Sequence, residues 1–100
     1  MIRHYVAWSH LDTLSAEEKT QNAAKIKAGL EALVGVVPGL LSMQVCISPV
    51  AGHTTHDMML ESTFACKEDM ESYIIHPRHK EMSAFIRTVI HNRFCFDREE

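Results

Sequence analysis

Ile2-Arg3-His4-Tyr5-Val6-Ala7-Trp8-Ser9-His10 alternates along its length. Ile2, His4, Val6 and Trp8 fall on one side of an extended chain and Arg3, Tyr5, Ala7 and Ser9 on the other, the period-two pattern of a β-strand. Downstream, Ser15-Ala16-Glu17-Glu18 is a capping box, in which the Ser15 hydroxyl accepts from the Glu18 amide while the Glu18 carboxylate accepts from the Ser15 amide. From there Ala23, Ile26, Leu30, Leu33 and Val37 recur at three- and four-residue spacing, which predicts an amphipathic helix stopped by Pro38-Gly39.

Two further alternating runs follow. Leu41, Met43, Val45 and Ile47 predict a second strand, ended by Pro49 and Gly52, and Met58, Leu60, Ser62 and Phe64 predict a third. Residues 67 to 75 form a short helix, which His76-Pro77 interrupts because proline disfavours helical geometry in the residue before it and suits a new first turn. Met82, Phe85, Ile86, Val89 and Ile90 carry the next helix to about residue 91, and Phe94-Cys95-Phe96 closes as a short strand. A single domain over residues 1–97 is expected, with 98–100 as a short polar tail.

Strand, helix, strand, strand, helix, strand is the order of an α+β, ferredoxin-like βαββαβ protomer, with a four-stranded antiparallel sheet covered by helices on one face. The opposite face would carry Tyr5, Ala7, Cys46 and Met59, too apolar to be fully wetted. Packing it against the same face of a second copy would bury it, so a homodimer is expected.

Composition excludes several function classes. With 46% hydrophobic and 23% charged residues, 100 residues make one folded domain, and the net charge of −3 provides no field to attract nucleic acid or anionic lipid. No segment approaches the roughly 20 apolar residues of a membrane span, and the opening MIRHYVAWSHLD lacks the pattern of an export signal. Cys46, Cys66 and Cys95 form neither a paired framework nor a zinc knuckle, so a cytoplasmic protein is expected. There is no phosphate loop, nucleophile elbow or basic stripe. No cofactor and no metal site is expected, because neither His53, His56 and Asp57, which lie in a loop, nor His76 and His79 have a full ligand set.

Seven histidines are the unusual feature. His10, His53 and His91 read as solvent-facing. Tyr73-Ile74-Ile75-His76-Pro77-Arg78-His79 puts a phenol and two imidazoles at one helix break, and His4 sits mid-strand on the face assigned to the helices. Histidine is the side chain best poised for acid–base work near neutral pH, so His79 and His4 form a candidate proton-transfer pair with Tyr73 as hydrogen-bond donor. The same residues also admit a structural reading, with His76 capping the turn before Pro77 while His79 and His4 fix the helix against the sheet.

The opening Met1-Ile2-Arg3-His4-Tyr5-Val6, the turn Val37-Pro38-Gly39-Leu40, the His-Pro-x-His of residues 76–79 with Tyr73 before it, and the closing Phe94-Cys95-Phe96-Asp97 together resemble the stress-responsive A/B barrel domain family. The resemblance implies a dimer whose two sheets close into an α/β barrel. It also implies a pocket between sheet and helices, which in a plant polyketide cyclase of the family holds a catalytic histidine matching His79, a tyrosine matching Tyr73 and a strand-one histidine matching His4. In this chain such a pocket would bind substrate through Val6, Trp8, Leu30, Met58, Leu60, His76, Met82 and Phe85. Met58 and Leu30 stand where that cyclase has a histidine and a tyrosine, and Trp8 is larger than the aliphatic group there, which disfavours a long acyl substrate. The expected function is binding of a small, partly apolar molecule with cyclase-like or lyase-like acid–base chemistry. The alternatives are a non-catalytic stress or assembly protein and, by fold analogy alone, a cofactor-free monooxygenase. Ligand chemistry calls for an enclosed cavity of about 300 Å³ or more.

Overall fold

The computed structural model describes residues 1–100 and runs β1 (Ile2–His10), α1 (Ala16–Glu31), β2 (Leu40–Cys46), β3 (Met58–Phe64), α2 (Lys67–Ile75), α3 (Pro77–Arg87) and β4 (Ile90–Glu99). The strands form one antiparallel sheet in the order β2-β3-β1-β4. β1 is therefore interior, and β1 and β2 run parallel with β3 between them, which is why their connection needs the whole of α1. This is the ferredoxin-like βαββαβ arrangement.

Local chemistry sets the ends of the elements. Both arms of the Ser15–Glu18 capping box form, at 3.1 and 3.0 Å. α1 stops at Glu31 rather than continuing to Val37, because Gly35 takes φ +86°, in the left-handed region. Leu33 and Val37 stay buried all the same, carried inward by tight turns closed by Val36 and Val37 amides donating to the Leu33 carbonyl. Their spacing was helical but their conformation is not. On β2 a register shift between Leu40 and Ser42 turns Leu41 outward, so Leu40 takes the core position that alternation gave to Leu41.

The C-terminal third departs most from expectation. α3 ends at Arg87, where the Thr88 hydroxyl donates to the Phe85 carbonyl, and Ile90 already belongs to β4, opposite His10. The last strand is ten residues long, and Arg98 and Glu99 pair with Arg3 and Ile2, so those two positions of the expected polar tail are strand. The core lies between the helices and the inner face of the sheet, with Ile26, Leu30, Val45, Phe64 and Tyr73 almost wholly enclosed. On the outer face Phe94 and Phe96, opposite Ala7 and Tyr5, are each about half exposed, at 52% and 53%.

Candidate active site

The break at His76 is what assembles the site. His76 is extended, at φ −65° and ψ 137°, and its Nδ1 accepts from the Arg78 amide at 3.1 Å, so it is the N-cap of α3 and does not line the cavity. Turning the chain there sets Tyr73 at the end of α2 against His79 at the start of α3, with ring centroids 4.3 Å apart. The His4 ring, rising from β1, lies 6.5 Å from that of Tyr73, and Phe64 packs edge-on against both. The expected trio, His4, Tyr73 and His79, thus meets in space across an apolar wall.

These side chains border a cavity of about 170 Å³ between β1 and β4 on one side and α2 and α3 on the other. Of the residues expected around a ligand, Trp8, Leu30 and Leu60 line it. Val6, Met58, Met82 and Phe85 do not. The reason on α3 is helical phase: His79, Ser83, Ile86 and Arg87 share the face turned to the cavity. Met82 lies against Gly29 of α1, where a Cβ would come within 2.5 Å of its sulfur, and Phe85 lies under the Lys25 ammonium, 3.8 Å from the ring centroid. Val6 and Met58 fill the core, and Met58 also borders a separate groove beside His53, His56 and Asp57. In that loop His56 Nδ1 meets the Thr55 hydroxyl and Asp57 accepts from the His10 amide. His10 is half-buried rather than solvent-facing, with an enclosed Nδ1 that has no partner.

Hydrogen bonding fixes which nitrogen does what. The Ile74 carbonyl can only accept, so His79 Nδ1, 2.9 Å away, carries the proton and Nε2 is the basic nitrogen of the neutral ring. Burial, followed by the charges of His4, Arg87 and Arg93, pushes the His79 pKa below the usual histidine value against the pull of the Ile74 carbonyl. A free base near neutral pH results. Tyr73, with 1% of its surface exposed, has its phenol pushed far up by burial, so it stays a donor.

The sequence reading missed Asp97. It faces His4 across the β1–β4 pair, and its carboxylate accepts from His4 Nδ1, which leaves Nε2 of that ring as the acceptor too. A carboxylate so placed orients the imidazole and fixes its tautomer. Half of the signal was available: Cys95 and Asp97 alternate with Phe94 and Phe96, and a ferredoxin-like order lays the last strand beside the first, but neither says which of the two faces turns inward. His4, Cys95 and Asp97 also hold one ligand atom each within 4.8 Å of one another, three donors of a kind that zinc accepts. Burial and the neighbouring Asp97 raise the Cys95 pKa, which favours the thiol over the thiolate.

The class defined by this fold and site is a ferredoxin-like α+β domain with a histidine-lined cavity under a broken second helix. The chain belongs to the stress responsive A/B barrel domain family, which it matches over residues 2–100. Among solved structures it is similar to a dimeric protein of unknown function and ferredoxin-like fold from Bacteroides fragilis, at 25% identity and TM-score 0.91 over 99% of this chain and 95% of that one. It is also similar to a Dabb-family protein with a ferredoxin-like fold from Mesorhizobium loti, at 16% identity and TM-score 0.72 over 99% and 95%. A third is the hydroxynitrile lyase of Passiflora edulis, at 16% identity and TM-score 0.79 over 97% and 90%, a likeness of fold. A comparison with curated proteins finds no match.

Proposed function

We propose that this protein is a homodimer that binds a compact, partly apolar molecule in the cavity and moves a proton on it, with His79 as base. Tyr73 holds a carbonyl or hydroxyl oxygen of the ligand, and the His4–Asp97 pair positions the ligand or passes the proton on. The observation that carries this reading is the His79 geometry: Nδ1–H tied to Ile74, Nε2 left basic, the ring set against a protonated phenol, and the residue lining the cavity. A cavity of about 170 Å³ is smaller than the expected 300 Å³. It is close to the roughly 150 Å³ known to accept benzene. That volume favours small substrates of lyase-like or isomerase-like chemistry over a long acyl chain.

Supporting the dimer are the apolar outer face and the dimeric state of the Bacteroides neighbour. No helix is long and apolar enough to cross a membrane, and the three cysteines are unpaired, which suits a reducing, cytoplasmic setting. The test is solvent exchange: in D2O, a His79 base should place deuterium on the carbon beside the carbonyl of small ketones and aldehydes faster than buffer does. His79→Ala should return the rate to that of buffer while the dimer persists. Exchange that never exceeds buffer, or that survives His79→Ala, overturns the catalytic role.

One observation favours a second reading. The His79–Ile74 bond ties a carbonyl at the end of α2 to the start of α3, which is also what a structural brace would do. In that reading the protein is a non-catalytic stress-related or assembly protein, and His79→Ala lowers thermal stability without changing any exchange rate.

A further inference from the structure

We propose that the cavity selects a compact organic carboxylate, its head group held by Arg87 and Arg93 at the rim and its apolar body against Trp8, Leu30 and Leu60. This rests on the reading of the cavity as a ligand site and adds the charge of the ligand. Two guanidiniums, one from the end of α3 and one from the start of β4, line the same small space. Neither makes an ion pair: the arginines engaged with carboxylates are Arg3 and Arg98, both with Glu100. The sole acidic residue lining the cavity is Asp97, whose carboxylate is already occupied by His4 Nδ1. The lining therefore carries two guanidiniums against one carboxylate, an excess of one positive charge, in a chain whose net charge is −3.

The rest of the lining says what the anion is attached to. Trp8, Leu30, Leu60 and Ile86 are all at least nine-tenths buried and offer a largely apolar wall beside the charged rim, with the Trp8 Nε1–H as its one unpartnered polar group. A bare inorganic anion would leave that wall unused, whereas a planar or branched carboxylate uses both ends. Guanidiniums suit this head group because their forked N–H donors match the two carboxylate oxygens. The same two charges help keep His79 unprotonated in the unliganded protein.

Trp8 is the only tryptophan and lines the cavity, so its emission reports occupancy. Benzoate, benzyl alcohol and inorganic phosphate are titrated into the wild-type protein and into an Arg87→Gln/Arg93→Gln double variant. Benzoate should bind the wild type about tenfold or more tighter than benzyl alcohol. The double variant should lose that preference while keeping its affinity for benzyl alcohol, which also shows that it is folded. Equal affinities for the two aromatic probes in the wild type, or a preference untouched by the double variant, overturn the charge selection and leave the cavity reading intact. Phosphate displacing benzoate at equal concentration overturns the demand for an apolar body. Neither aromatic probe changing Trp8 emission sinks the cavity reading and this proposal together.

Discussion

The two faces of the same four strands carry opposite chemistry. The inner face holds His4 and, with Tyr73 and His79 above it, the polar groups, enclosed among Trp8, Leu60 and Phe64. The outer face holds Phe94, Phe96 and Met59 in the open, beside Tyr5 and Ala7. A lone domain would put water where its apolar side chains are not. This one does the reverse on one face, and the simplest physical remedy is a second copy. The inner face shows the complementary lesson, that a histidine placed in an apolar wall keeps its base free only if every other polar valence is met. Ile74 and Asp97 meet those valences.

The outer face offers the largest test. Phe94→Asp with Phe96→Asp removes two rings, each worth about 1.5–3 kcal/mol when fully buried, and adds charges to be desolvated. Sedimentation should show the dimer weakened by about a thousandfold or more while circular dichroism is unchanged. Unaltered sedimentation would place the interface elsewhere. On the inner face, Tyr73→Ala opens a cavity next to Phe64 and should cost about 3 kcal/mol in denaturant unfolding. Tyr73→Phe keeps the packing and should cost less than about 1 kcal/mol, so a large loss there would mean that the hydroxyl is structural.

Smaller effects sharpen the inner face further. Asp97→Asn should cost about 1 kcal/mol and release His4 from a single tautomer, visible as converging nitrogen shifts of the two ring atoms by NMR. Shifts that stay apart would show that Asp97 does not orient the ring. The smallest effect is on pH dependence. His79 has a folded pKa below its unfolded value of about 6.5, so its contribution to stability is complete above that value and is lost as pH falls through the folded value. The groups around it are His4 on β1, Tyr73 on α2, Arg87 on α3 and Arg93, Cys95 and Asp97 on β4. His79→Gln should flatten the acid side of the stability profile without abolishing its slope, because burial depresses His10 in the same window. A profile that keeps its full slope would assign the window to other groups.

Much of the fold was legible because each strand alternates and the capping box and Pro77 punctuate the helices. His4 and Tyr73 could be placed inward from period alone, and the Tyr-x-x-His-Pro-x-His run put His79 near Tyr73. What periodicity mistook were positions where spacing survives a change of conformation. Leu33 and Val37 keep helical spacing in tight turns, and Val89 and Ile90 continue the apolar pattern of a helix that has already ended. Met82 and Phe85 were assigned to the pocket because they are apolar residues on the right helix, but helical phase sends them to α1 instead.

The sequence by itself determined the order of elements, the inward face of β1, the break at His76 and the pairing of Tyr73 with His79, all consequences of local backbone chemistry. Only the tertiary structure decided that Asp97 belongs to the site. Between Ala7 and Ser9 of β1 the register with β4 shifts by one residue, with Asn92 at φ +56° supplying the extra position. That shift lets Ile90 face inward and then exchanges odd for even, so that Arg93, Cys95 and Asp97 line the cavity while Phe94 and Phe96 turn outward. Alternation fixes which residues share a face. Which face that is depends on where the strand slips against its neighbour, and that is settled only when the strands meet.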